Sequence, residues 1–268
     1  MWPNVFPIDE SLTLPTVPFL LALRRRLSLE LPTGSARCPC GALVDPWGNH
    51  FLACPSTGRL RRRGKALELA FAQLLREAGG PSAQVAPRPR LRDLAVPGVS
   101  ALDQRELNVV ARGLPLFGGR TIGVDATLRS PLSAAGAVRF GSHQRDGATF
   151  SVARQDKEHK YPELAGQAHQ IKFVVGACEI GGRCNQESVD LVRALVLHRA
   201  ATAAPASRAS LRSCLARRYW GILFIATQRA CVDCRTTPCP SSSPPFPSPL
   251  PTPSWHVSTL PSVWMHRT

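Results

Sequence analysis

The periodicity of the chain predicts a mixed α/β (α+β) fold: a small mixed β-sheet with flanking helices in the order helix-strand-strand-strand-helix-strand, preceded by a cysteine- and histidine-rich knuckle. Three observations predict it. Leu60, Leu67, Phe71, Leu74 and Leu75 recur at helical spacing. Three short apolar segments bounded by Pro and Gly follow, at about 91–96, 106–112 and 121–128. Residues 171–180 then form a near-continuous apolar run, as a strand covered on both faces requires.

The elements follow in order. Thr16 is placed to cap a short helix carrying Phe19, Leu20, Leu23 and Leu27 on one face. The helix expected over 60–78 keeps its arginines on the opposite face and in its first turn, and Gly79-Gly80-Pro81 stops it. Gly113-Leu114-Pro115 and Gly118-Gly119 supply the turn between the second and third strands. A helix over about 150–161 ends at Pro162, and helices over about 187–199 and 211–230 close the fold. Trp220, Leu223 and Phe224 on the last of these read as core. From Pro238 to Pro253, 8 of 16 residues are proline, so an unstructured tail is expected over 231–268. The expected division is thus 1–58 for the first helix and knuckle, 59–230 for the folded domain, and 231–268 for the tail.

Charge points to the class of partner. The chain carries 33 Lys+Arg against 18 Asp+Glu, a formal net charge of +15. A polyanion is the first partner such a surface suggests, because cations that neutralise phosphates release condensed counterions. Arg24, Arg25 and Arg26 form one dense run, and Arg59, Arg61, Arg62, Arg63 and Lys65 form another. These are the candidate nucleic-acid contacts. The apolar stretches are short and broken by proline, so no membrane span is expected, and the first residues lack the basic start of a secretory signal. A nuclear or cytoplasmic location is the expectation, without a small-molecule cofactor.

Cys38-Pro39-Cys40, His50 and Cys54 place four soft or borderline donors within 17 residues, as a tetrahedral Zn²⁺ site requires. Gly41 and Gly48 let so short a loop fold back. A closed four-ligand site is structural and would hold the two arginine runs together. Cys231, Cys234 and Cys239 look like a second such site but lack a partner histidine, and read as incidental. Cys178, Cys184 and Cys214 read as small hydrophobes or inert thiols.

Asp125 lies inside the apolar strand Ile122-Gly123-Val124-Asp125-Ala126-Thr127-Leu128, where a carboxylate is costly unless paired, hydrogen-bonded or metal-bound. A solvent-facing strand-end aspartate is the competing reading. Glu106 and Asn108 share one face of the preceding strand. A carboxylate pair on adjacent strands commonly holds Mg²⁺ for phosphodiester hydrolysis. Glu106 can supply the second carboxylate, Asn108 is a weaker ligand, and Asp93 and Asp103 lie further off. Lys157 and Lys160, three apart, share a helix face from which an ammonium can stabilise phosphoryl charge. A solvated face accounts for at least one of them. Glu179 at the end of the apolar run can approach a metal or meet solvent.

This order of elements, with Asp125 on the third strand, resembles the PD-(D/E)XK nuclease core. The loop Cys38–Cys54 resembles the knuckle of restriction-like endonuclease domains that close the reading frames of non-LTR retrotransposons. The stretches 113–119 (Gly-Leu-Pro-Leu-Phe-Gly-Gly), 124–132 (Val-Asp-Ala-Thr-Leu-Arg-Ser-Pro-Leu) and 157–164 (Lys-Glu-His-Lys-Tyr-Pro-Glu-Leu) are similar to reverse-transcriptase-associated sequences of unicellular algae. The resemblance covers about residues 10–230. It implies Cys38, Cys40, His50 and Cys54 as zinc ligands, Asp125 as the magnesium carboxylate, and Lys157 or Lys160 as an active-site lysine moved onto the helix, since Thr127 stands at its usual place. Asn108 departs from the pattern, which has an acid there.

The expectation drawn from this is a Mg²⁺-dependent DNA endonuclease-like domain of a retroelement, of nickase type if active, with duplex DNA as partner. The alternatives are a non-catalytic zinc-containing nucleic-acid-binding module, which Asn108 favours, and a decayed transposon relic.

Overall fold

The computed structural model describes residues 9–31, 37–38, 40–55, 59–166 and 170–236. Helices α1 (Thr16–Arg26), α2 (Asn49–Ala53) and α3 (Arg59–Gly79) precede strands β1 (Gln84–Pro87), β2 (Val109–Arg112) and β3 (Thr121–Arg129). Helix α4 (Ala148–Lys160), strand β4 (Ile171–Glu179) and helices α5 (Gln186–Ala201) and α6 (Arg208–Thr236) follow. The sheet runs β1-β2-β3-β4, antiparallel up to β3 and parallel between β3 and β4. The mixed sheet and the helix-strand-strand-strand-helix-strand order are those the sequence predicts.

Alternation along the strands builds two apolar layers. Val109, Ile122, Val124 and Val174 meet Phe71, Leu74 and Leu75 of α3, with α5 and α6 behind. Val110, Phe173, Val175 and Ala177 face the other way, onto Ala153 of α4 and onto Tyr161 and Leu164. Gly176 lets α3 come close, because a Cβ there would stand 2.6 Å from the Phe71 ring.

Several elements differ from expectation. Residues 91–94 form a 3-10 turn rather than a strand, since Leu91 and Leu94, three apart, both enter the second core. The first strand is instead Gln84–Pro87, tolerant of Pro87 because it is the sheet edge. The second strand starts at Val109 rather than 106. Thr16 occupies the first turn of α1 without capping it; Pro15 stands at the cap. The α1 face with Phe19, Leu20 and Leu27 is exposed, and Ala22 is the buried residue. Helix α6 continues to Thr236, six residues into the expected tail, and buries Cys231. The tail beyond 236, with Cys239, lies outside the described residues. Cys178 and Cys184 are joined in a disulfide across the turn after β4, so they are not inert thiols, whereas Cys214 is free and exposed. Tyr219, Ile222 and Leu223 of α6 are core, with Trp220 packed partly against them. No helix among the described residues is long and apolar enough to cross a membrane.

Candidate metal centre and basic cleft

The knuckle brings its four donors together. Cys38, Cys40, His50 and Cys54 place their ligand atoms within 4.8 Å of one another. Cys38 Sγ lies 3.9 Å from Cys54 Sγ, and Cys40 Sγ lies 3.2 Å from His50 Nε2. Tetrahedral zinc with Zn–S near 2.3 Å needs sulfurs about 3.8 Å apart, so the donor set fits a metal ion and is compatible with zinc. Local sequence explains the geometry. Gly41, at φ +87°, turns the chain so that Cys38 N–H reaches Ala42 O, 2.9 Å away. The Asp45 carboxylate accepts the N–H groups of Trp47, Asn49 and His50 and starts α2, which carries His50. His50 Nδ1 lies 2.7 Å from Ala134 O, a carbonyl that fixes Nδ1–H and leaves Nε2 for the metal. Burial pushes the Cys38 thiol up to about 11. The Ala42 backbone N–H brings the Cys40 thiol down to about 7, favouring the thiolate that metals bind.

A cleft of about 410 Å³ opens beside β3, where β2 departs. Its lining includes Lys65, Glu68, Arg88, Asn108, Asp125, Thr127, Arg129, Arg139, Lys157 and Lys160. The pairing of β2 with β3 ends at Val109 and Val124, which sets Asn108 opposite Asp125. Asp125 is 2% exposed, with Lys157 Nζ 3.1 Å and Lys160 Nζ 3.9 Å from Oδ2. Burial lowers the Lys160 ammonium, opposed by the Asp125 charge. Below it, buried Tyr161 donates its hydroxyl to Glu106 O, and burial raises that phenol far above its usual value.

Asn108 has two partners. Its Oδ1 accepts Ala126 N–H at 2.7 Å, and its Nδ2 donates to Glu68 Oε2 at 3.3 Å. Glu68 is buried on α3 and also receives a two-oxygen contact from Arg88, at 3.0 and 3.2 Å. The cleft therefore holds two carboxylates, each matched by cations of this chain, and a neutral amide between strand and helix. That arrangement does not suit Mg²⁺. The residue opposite Asp125 on the adjacent strand is an amide rather than a carboxylate, and its N–H group donates to Glu68.

The remaining sequence candidates separate. Asn108, Asp125, Lys65, Lys157 and Lys160 converge on the cleft, while Glu106 is exposed and outside its lining. Arg24 donates to Glu30 O and Arg25 to Asn49 Oδ1, placing the first arginine run on α1 next to the knuckle. Arg26 is exposed. The side chains of Arg59, Arg61, Arg62 and Arg63 lie outside the described residues; their backbone forms the start of α3. Glu179 accepts from Thr149 and faces Arg183, away from the cleft. Asp103 is bound by Arg105. Sequence reasoning misses Glu68, Arg88, Arg129 and Arg139 as site residues. Glu68 carries a signal: it falls three and seven positions before Phe71 and Leu75, a charge within an apolar helical stripe.

No protein-family model matches the chain, and no curated protein matches it.

Proposed function

We propose that this protein is a zinc-stapled, duplex-DNA-binding domain of PD-(D/E)XK nuclease architecture, of retroelement origin and acting in the nucleus or cytoplasm without cleaving its substrate. The observation that carries this reading is the Glu68–Asn108–Ala126 bridge. It puts an amide where a nuclease needs a charge, while Lys65, Arg88, Arg129, Arg139, Lys157 and Lys160 leave the cleft strongly basic. Phosphates on such a lining displace counterions, and the backbone is gripped without base readout. The knuckle holds zinc as a closed structural site.

Fluorescence anisotropy with a duplex at increasing salt tests the binding. The affinity falls steeply with salt, and Lys65→Ala with Arg139→Ala flattens that slope by about one ion per contact removed. A salt-independent or absent affinity refutes the reading. A second reading, phosphodiester hydrolysis, is favoured by the Lys157–Asp125 pair at 3.1 Å. Supercoiled-plasmid nicking with Mg²⁺ separates the two: nicking by the wild type that Asp125→Ala abolishes establishes hydrolysis, and no nicking excludes it.

A further inference from the structure

The chain between β3 and α4 carries a side chain that the cleft does not absorb. Phe140 is 101% exposed, and its neighbour Val138 is 52% exposed. Isolated apolar residues on a surface are ordinary, but Phe140 sits on a backbone that is fixed rather than loose. Leu132 pairs with Val138, and Arg139 N–H donates to Pro131 O at 2.8 Å. Beyond Phe140 the chain is held again, by Ser142 N–H to Arg139 O at 2.9 Å. The tip of this hairpin gives Ala134 O to His50 at 2.7 Å, so the metal centre braces it from behind. Arg139, one residue before Phe140, lines the cleft and donates Nε–H to Ser130 O at 3.1 Å. A rigid hairpin thus turns a cation inward and an uncovered aromatic ring outward at the rim of a phosphate-binding lining.

The geometry points to Phe140 as a wedge that stacks on or enters a base step of duplex DNA while Arg139 holds the adjoining phosphate. This rests on the DNA-binding reading and adds to it a contact with bases. An apolar ring on a braced hairpin offers a π-face to any base, and apolar wedges beside basic residues unstack duplex steps.

The decisive experiment uses the full chain, loaded with metal, and duplexes carrying 2-aminopurine at successive positions. Binding of the wild type raises the 2-aminopurine fluorescence above that of the free duplex. Phe140→Ala removes that rise and weakens binding about tenfold to a hundredfold, with an unchanged salt slope and an unchanged melting temperature. Phe140→Trp restores both signals. If Phe140→Ala binds as tightly as the wild type with the same fluorescence, the wedge is refuted while salt-dependent binding still stands. If the wild type binds no duplex at all, the DNA-binding reading falls and the wedge with it.

Discussion

Replacing Asn108 with aspartate is the sharpest probe of the cleft. The new Oδ1 still accepts Ala126 N–H, but the second oxygen replaces an amide donor 3.3 Å from Glu68 Oε2. Two charges at that separation repel by about 5 kcal/mol at an effective dielectric constant near 20. Arg88, in contact with both Glu68 oxygens, and the water in the cleft offset part of this. A net loss of about 2–3 kcal/mol remains, or roughly 5–10 °C in Tm for a domain of this size. One proton shared by the two carboxyls relieves the repulsion, so the loss is larger at pH 8 than at pH 5. A divalent cation relieves it as well, because its charge offsets the repulsion between the two neighbouring carboxylates. Thermal denaturation at both pH values, with and without Mg²⁺, reads this directly. An equal loss of Tm at pH 5 and pH 8 with no response to Mg²⁺ would refute the electrostatic account of the bridge.

Three more outcomes follow from the geometry. Cys54→Ser lowers the bound metal from one ion per chain toward none, as measured by atomic emission, and lowers Tm by several degrees because metal binding contributes to folding. Arg218 holds Glu77, whose burial alone would raise its carboxyl; the guanidinium hydrogen bonds overcome that and bring it below the ordinary 4.5. A lowered acid contributes stability above its unfolded pKa and loses it as the pH falls. Arg218→Ala therefore destabilises most at neutral pH, and the gap to wild type closes below about pH 4.5 in an acid titration followed by circular dichroism. Gly176→Ala pushes a methyl against the Phe71 ring at 2.6 Å and Val124 at 3.1 Å, costing about 1–3 kcal/mol in urea denaturation.

Where a residue's role follows from a pattern along the chain, the sequence reveals it. The long amphipathic α3, the apolar β4 and the four metal donors each rest on local spacing, and each forms where expected. Asp125 stands out because an acid interrupts an apolar strand, and two lysines one helical turn apart do reach it. What escapes depends on contacts between distant segments. Arg88 finds Glu68 across 20 positions, and Arg139 enters the cleft only because a hairpin folds back on Pro131. The first strand is hard to place because Gln84–Pro87 holds a polar residue and a proline, whereas Leu91 and Leu94 imitate a strand while forming a turn. On α1 most of the apolar stripe is not the buried side: Phe19, Leu20 and Leu27 are exposed, and Ala22 is the buried residue of a helix that lies against α6.

The carbonyl that orients His50 comes from a residue 84 positions later. During synthesis the four donors therefore leave the ribosome well before their orienting group exists, and any ion captured at that moment is held without it. Losing such a buttress ordinarily weakens a site about tenfold to a hundredfold. A peptide cut after position 58 is thus a leaky chelator, and tight loading waits for the third strand and its hairpin to emerge.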